Sequence, residues 1–190
     1  KLGLKVIKQM KDTAAEYRKE TGYLFGVSRT PAESAAYRLA RIDMQRFPNA
    51  IVQGDREKDA VYYTNSTHIR PSANVGLIDR VKKEGSFHPL LDGGAMSHVW
   101  LGEGNPSPEA ITKLTERIAR NTLTNYFAYT RDLTVCNKCL HTVAGVLQKC
   151  QKCGSANIDW ISRITGYYQR VSTWNKGKQQ EFLDRQRYAL

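Results

Sequence analysis

Four cysteines confined to residues 136–153 constrain this chain more than any other feature. They form two knuckles, Cys136-Asn-Lys-Cys139 and Cys150-Gln-Lys-Cys153-Gly154, separated by residues 140–149. Each CxxC turn aims two thiolates at one point, and two such turns complete a tetrahedron around one zinc ion. Gly154 suits the tight turn that follows a ligand. Four thiolates leave no open coordination position, so the expected Zn2+ is structural and activates no water. Secreted disulfide scaffolds scatter their cysteines, whereas paired clustering points to a metal in a reducing cytoplasm. Four buried free thiols or a redox CxxC pair are the alternatives. His141 stands near the first knuckle, but no further ligand is needed and it reads as an ordinary surface histidine.

Upstream of the knuckles the patterning alternates between helical and extended periods. Residues 1–21 read as a helix with Leu4, Ile7, Met10, Ala14 and Tyr17 on one face, stopped by Gly22. Residues 23–27 read as a short buried strand. Thr30-Pro31-Ala32-Glu33 has the form of a capping box that opens a helix ending before Pro48. Further strands are expected at 61–64, 98–101 and 125–130. Helices are expected at 74–84, from Ser107-Pro108-Glu109 onward, and at about 178–187. This alternation implies an α/β architecture with largely parallel strand pairing. The first residue is Lys1 and no capping residue precedes the opening helix, so the chain is expected to begin inside a longer protein.

Apolar residues make up 41% of the chain, enough for a packed core, and no run approaches the roughly 18 residues of a membrane span. The net charge of +11 invites a nucleic-acid reading, and a zinc-ribbon nucleic-acid-binding protein is the alternative function. Lys and Arg are nevertheless spread along the chain among acids, which fits nucleotide triphosphates or an acidic partner surface better. Ser28-Arg29-Thr30 ahead of a helix N-terminus has the form of an anion site, but capping is the favoured role. His68, His88 and His98 are too scattered for a second metal site. Trp160, Tyr167, Tyr168 and Trp174 read as packing residues rather than base-stacking ones.

Past the knuckles the chain reads Ser162-Arg163-Ile164-Thr165-Gly166-Tyr167-Tyr168. A glycine among β-branched and aromatic residues reads, from residue types alone, as a turn or bulge that needs positive φ. Arg163-Ile-Thr-Gly166-Tyr167 also resembles the radical loop of glycyl-radical enzymes. With two CxxC knuckles just upstream, it is similar to one branch of them, the anaerobic (class III) ribonucleoside-triphosphate reductases. Gly26–Glu33, Tyr63–Ser66, Gly93–Glu103 and Trp174–Lys178 look like further segments of that enzyme's C-terminal part. Thr165 and Gln169 depart from the general glycyl-radical pattern, where smaller residues are common.

The resemblance implies part of a glycyl-radical-type α/β barrel over residues 1–133. It implies a four-cysteine zinc-ribbon knob over 134–155, and a radical loop and C-terminal tail over 156–190. It makes Gly166 the radical site and Cys136, Cys139, Cys150 and Cys153 the zinc ligands. It implies a radical-SAM activase, using S-adenosylmethionine and an iron–sulfur cluster, that abstracts hydrogen from the glycine. A thiyl radical on another loop then attacks the ribonucleoside triphosphate. All four cysteines here are committed to zinc, so the thiyl cysteine is expected on the N-terminal remainder of the reductase. A homodimer in the cytoplasm, with no membrane partner, completes the expectation. A different glycyl-radical enzyme is a second alternative, against which the knuckles count. A Cα radical is planar and conjugated to the amide nitrogen on one side and the carbonyl on the other. A Cβ would crowd that plane, which is why glycine suits it.

Overall fold

The computed structural model describes residues 1–102, 105–164 and 166–190. Thr165 of the radical-loop motif, and Glu103 at the end of the Gly93–Glu103 segment, lie outside the described residues. The chain opens with helix α1 (Leu2–Thr21), closed by Gly22 in the left-handed region at φ 76°. Its apolar face is only partly seated. Leu4, Ile7 and Ala14 are half-buried, while Leu2, Val6, Met10 and Tyr17 are exposed. Helix α2 (Glu33–Arg46) buries Ala36 and Ala40, and the hairpin β1 (Gln53–Asp55) and β2 (Ala60–Tyr62) follows.

A parallel unit forms the first core. Helix α3 (Leu77–Gly85) precedes β3 (Ser97–Leu101), helix α4 (Pro108–Asn121) and β4 (Phe127–Arg131). β3 pairs with β4 in parallel, from Ser97 opposite Phe127 to Leu101 opposite Arg131. A parallel pair needs a crossover of a dozen residues or more, and α4 supplies it. The Ser107 hydroxyl caps α4, accepting from the Ala110 N–H at 3.1 Å. Val81, Val99, Leu101, Leu114 and Ile118 close the core between these elements.

The cysteine region builds on an antiparallel sheet of order β6-β5-β7-β8. Its strands are β5 (Leu133–Cys136), β6 (Thr142–Ala144), β7 (Ile158–Arg163) and β8 (Tyr168–Arg170). Helix α5 (Lys176–Asp184), capped by Asn175, covers a second core of Ile164, Val171, Trp174 and Phe182.

Three expectations are corrected. Residues 23–27 form no strand; Tyr23 and Leu24 are 73% and 79% exposed, and the isolated bridge just after the segment joins Ser28 to Gly93. An aromatic run has strand propensity but no neighbouring strand here to pair with. The capping box at Thr30 does not form, because α2 begins two residues later, behind Ala32, with no side-chain cap. Pairing is mostly antiparallel among the described strands, since the links around β1–β2 and through the cysteine region are too short for crossovers.

Candidate functional site

The two knuckles grow from the sheet. Cys136 ends β5, and its N–H donates to the His141 carbonyl at 2.9 Å, which folds the first turn back on the strand. His141 itself is half-buried and is not among the clustered ligands. In the second turn Gly154, at φ 71°, donates to the Cys150 carbonyl at 2.9 Å. The four Sγ atoms lie within 4.8 Å of one another. Cys136 and Cys153 sulfurs are 3.6 Å apart, and Cys139 and Cys150 sulfurs 3.7 Å. Tetrahedral zinc with Zn–S bonds of about 2.3 Å places its sulfurs about 3.8 Å apart, so this donor set fits the ion in type, number and spacing. Backbone N–H groups favour thiolates here: the Cys139 backbone holds the Cys136 thiol down to about 6, and the Cys153 backbone lowers the Cys150 thiol. At Cys153 the Ser155 backbone acts in the same direction, but desolvation and the three neighbouring sulfurs raise the thiol to about 11. Four crowded sulfurs do not all ionise without a cation among them.

β7 leaves the second knuckle and runs straight to the glycine loop. Cys136 stands opposite Ile158 at one end of the β5–β7 ladder, and Leu133 opposite Ile161 at the other. β8 returns, with Arg163 opposite Tyr168. Gly166 is at the tip of this hairpin, where the Ile164 N–H donates to the Tyr167 carbonyl at 3.3 Å. Gly166 is exposed, and a Cβ built on it meets nothing within 4 Å among the described residues. Crowding among the described residues does not demand glycine there.

Gly166 lines a cavity of about 300 Å³, the lower end of the usual range for ligand pockets. Met96, Trp100, Tyr126 and Ile164 give it apolar walls; Thr30, Asn65, Ser66, His68 and His98 give it polar ones. Arg29 is buried behind it, bonded to the Gly94 and Met96 carbonyls and to the Thr67 hydroxyl. It anchors the 94–96 turn. A Cβ on Gly94 would collide with the Arg29 carbonyl, which explains that glycine. His98 stacks on Trp100 and meets His68 edge-on, each with centroids 6.3 Å apart. Burial, reinforced by His68 and by Arg185, Arg163 and Lys178, lowers the His98 imidazole to about 3, so it is neutral. Its Nδ1 and the Asn65 Oδ1 are buried with no hydrogen-bond partner among the described residues. His88 is elsewhere, buried against Asn125 and Ser97.

A buried charge network braces the hairpin from behind. Glu181 on α5 accepts from Lys178 Nζ at 2.5 Å and from Arg185 at 3.3 Å. Arg185 also donates to the Ser162 hydroxyl at 2.9 Å and the Arg163 carbonyl at 3.1 Å. Burial alone would raise the Glu181 carboxyl, but Lys178 and Arg185 outweigh it and hold it below the ordinary carboxylate range. Glu181→Gln leaves two buried cations without their anion and is expected to cost about 3–5 kcal/mol in denaturant unfolding. The sign follows from the depressed carboxyl: the stabilisation is present above the unfolded-state value and is lost as pH falls through the folded one. The gap between the two proteins should therefore narrow in acid.

A family model described as anaerobic ribonucleoside-triphosphate reductase matches residues 1–188. The chain belongs to that family. Among relatives, the anaerobic ribonucleoside-triphosphate reductase of Haemophilus influenzae is 27% identical over 94% of this chain. That of Enterobacteria phage T4 is 23% identical over 97% of it. The chain spans 26% and 31% of their respective lengths. A solved anaerobic ribonucleotide reductase superposes on 97% of the chain and 28% of its own length, at TM-score 0.76 and 27% identity. The Thermotoga maritima anaerobic ribonucleotide reductase in complex with dATP and CTP matches 93% of the chain and 27% of its own length, at TM-score 0.68 and 26% identity. The reductase family thus accounts for nearly the whole sequence, and the mixed α/β fold is shared with its solved members.

Within this family frame, the cavity gathers segments far apart in the chain: 29–31, 64–71, 94–100 and the hairpin tip. Asn65, His68, His98, Glu181 and Arg185 carry no local motif that marks them as cavity residues. Trp160 and Trp174 pack on Phe182, as their packing reading requires, while Tyr167 stays exposed at the tip.

Proposed function

We propose that this chain supplies the glycyl-radical loop and zinc knob of an enzyme that reduces ribonucleoside triphosphates to deoxyribonucleoside triphosphates under anaerobic conditions. The observation that carries the proposal is Gly166: a glycine that no crowding among the described residues explains, lining a partly apolar cavity in a chain of this family. Residues 1–133 would be the C-terminal part of the catalytic barrel, 134–155 the knob, and 156–190 the radical loop and tail. Zinc, held by Cys136, Cys139, Cys150 and Cys153, would tie the two knuckles together and so fix the start of β7. A radical-SAM activase, with its S-adenosylmethionine and iron–sulfur cluster, would remove the hydrogen atom from the Gly166 Cα.

The chain's own residues would then shelter the radical. Met96, Trp100 and Ile164 would give it apolar walls, and the remainder of the reductase would have to cover the exposed Gly166 to keep water out, which a stored radical requires. Asn65 Oδ1 and His98 Nδ1 offer hydrogen-bond positions inside the cavity to the nucleotide or to the loop bearing the thiyl cysteine. The exposed apolar face of α1 would pack on the N-terminal remainder, which the lengths of the relatives imply. A homodimer in the cytoplasm follows from the same reading. No helix among the described residues is long and apolar enough to cross a membrane. The four buried cations Arg29, Arg80, Lys178 and Arg185 are matched by buried Glu84, Asp132, Asp159 and Glu181, so the basic excess lies at the surface, and it is the family match that favours nucleotides over nucleic acid as the partner.

The test is reconstitution. The 190-residue chain alone should reduce no nucleotide even with activase, S-adenosylmethionine and reductant, because its four cysteines are committed to zinc. Joined to the remainder of the reductase it should turn over. Turnover by the chain alone would end the assignment.

A further inference from the structure

Arg163 meets Gly166 at the atom where the chemistry of that glycine would be felt. Its guanidinium Nη1 donates to the Gly166 carbonyl oxygen at 2.6 Å. The guanidinium carbon lies 4.9 Å from the centre of the Tyr168 ring across the hairpin. The Arg163 main chain is itself held, its carbonyl accepting from the buried Arg185 at 3.1 Å. A short charge-assisted bond between a braced arginine and this one carbonyl is more than hairpin closure requires, since the Ile164–Tyr167 bond and the β7–β8 ladder already close the loop.

We propose that Arg163 tunes the radical on Gly166, drawing unpaired spin off Cα into the flanking conjugated amide system and stabilising the radical over the intact glycine. The inference rests on the reading of Gly166 as the radical site. In forming the radical, the Cα–H bond breaks homolytically. The hydrogen atom passes to the primary alkyl radical of the activase, which gains a C–H bond, and one electron remains on Cα. That electron is conjugated with the nitrogen lone pair and with the carbonyl π* orbital. The charge-separated resonance form places the odd electron and positive charge on the amide nitrogen and negative charge on the carbonyl oxygen, where the guanidinium already points. The bond therefore strengthens when the radical forms, and a preset donor needs no reorganisation to deliver that gain. A purely structural brace would hold the loop but leave the spin distribution unchanged.

The experiment is electron paramagnetic resonance on the activated, fully assembled reductase. Arg163→Gln should widen the α-proton doublet, as spin returns to Cα, and lower the radical yield per chain roughly tenfold, the scale of one charge-assisted hydrogen bond. Arg163→Lys, which keeps the charge, should fall between the two, and zinc content should not change. Should the variants resist activation, wild-type protein with 15N-labelled arginine decides: a nuclear coupling from a guanidinium nitrogen to the glycyl spin is expected. An unchanged doublet with normal yield in Arg163→Gln overturns the proposal, as does the absence of 15N coupling in the wild type. The lack of any glycyl doublet in activated wild type would instead overturn the Gly166 reading, and this inference with it.

Discussion

Gly166→Ala should abolish both the stored spin and the oxygen-dependent cut beside it, while the protein folds and holds zinc like the wild type. The substitution is clean because of the local geometry. The added methyl meets open space among the described residues, so no clash opposes it. Unfolding free energy should change little; losing one glycine's backbone freedom in the unfolded state is worth only about 0.4–1 kcal/mol. Zinc content should match wild type, because Cys153 precedes the glycine by the full length of β7 and none of the four sulfurs touches it. In activated wild type exposed to air, dioxygen adds to the Cα radical and the resulting peroxyl species breaks the backbone. The released piece should begin next to Gly166 and end at Leu190. Unactivated protein should stay whole, which separates the cut from proteolysis of an exposed loop. Mass spectrometry gives the answer: an intact C-terminus in aerated protein with a confirmed glycyl spin would place the radical elsewhere.

The parts of this chain legible in sequence are those fixed by neighbours a few residues apart. The CxxC spacing prescribes each knuckle, and the structure adds that the two meet within 4.8 Å. Ser107-Pro108-Glu109 caps α4 as its pattern requires, because the Ser107 hydroxyl needs only the Ala110 N–H three residues on. Thr30-Pro31-Ala32-Glu33 has an equally good pattern and fails, because Arg29 is pulled into the protein by the Gly94 and Met96 carbonyls and the chain turns into α2 later. That contact spans more than sixty residues of sequence, beyond the reach of any local motif. The cavity shows the same limit. His68 and His98 look scattered in one dimension, yet β3 and the turn after Asn65 bring their rings to 6.3 Å. At Gly166 residue types identify an unusual glycine, but only coordinates show that no described neighbour crowds its Cβ position.

Cys136→Ser should remove the zinc and, with it, the order of the glycine hairpin. A serine oxygen is a poor thiolate substitute, and three sulfurs leave the ion's fourth position to water. Apparent binding free energies of about 10–16 kcal/mol for structural zinc are folding free energy for the segment that holds it. Here that segment has no apolar core of its own: the knuckles are turns, closed by bonds such as Cys136 to His141 and Cys150 to Ser155. Cys136 is also the last residue of the β5–β7 ladder, opposite Ile158, so losing the metal frays β7 from the end that sets its direction. Ile164 and Val171, which seat the hairpin on Phe182 and Trp174, then lose their backbone support. The parallel unit around Val99 and Ile118 shares no residue with this region and should stay folded. The expected signature is therefore regional: zinc falls from one per chain to none, hydrogen exchange rises across residues 134–170, and protection in α4 is retained. Activation should fail in the same protein although Gly166 is untouched, since the loop is no longer presented in one shape. A Cys136→Ser protein with no zinc, native exchange protection through β7 and a full glycyl signal would show that the knob is dispensable to the radical loop.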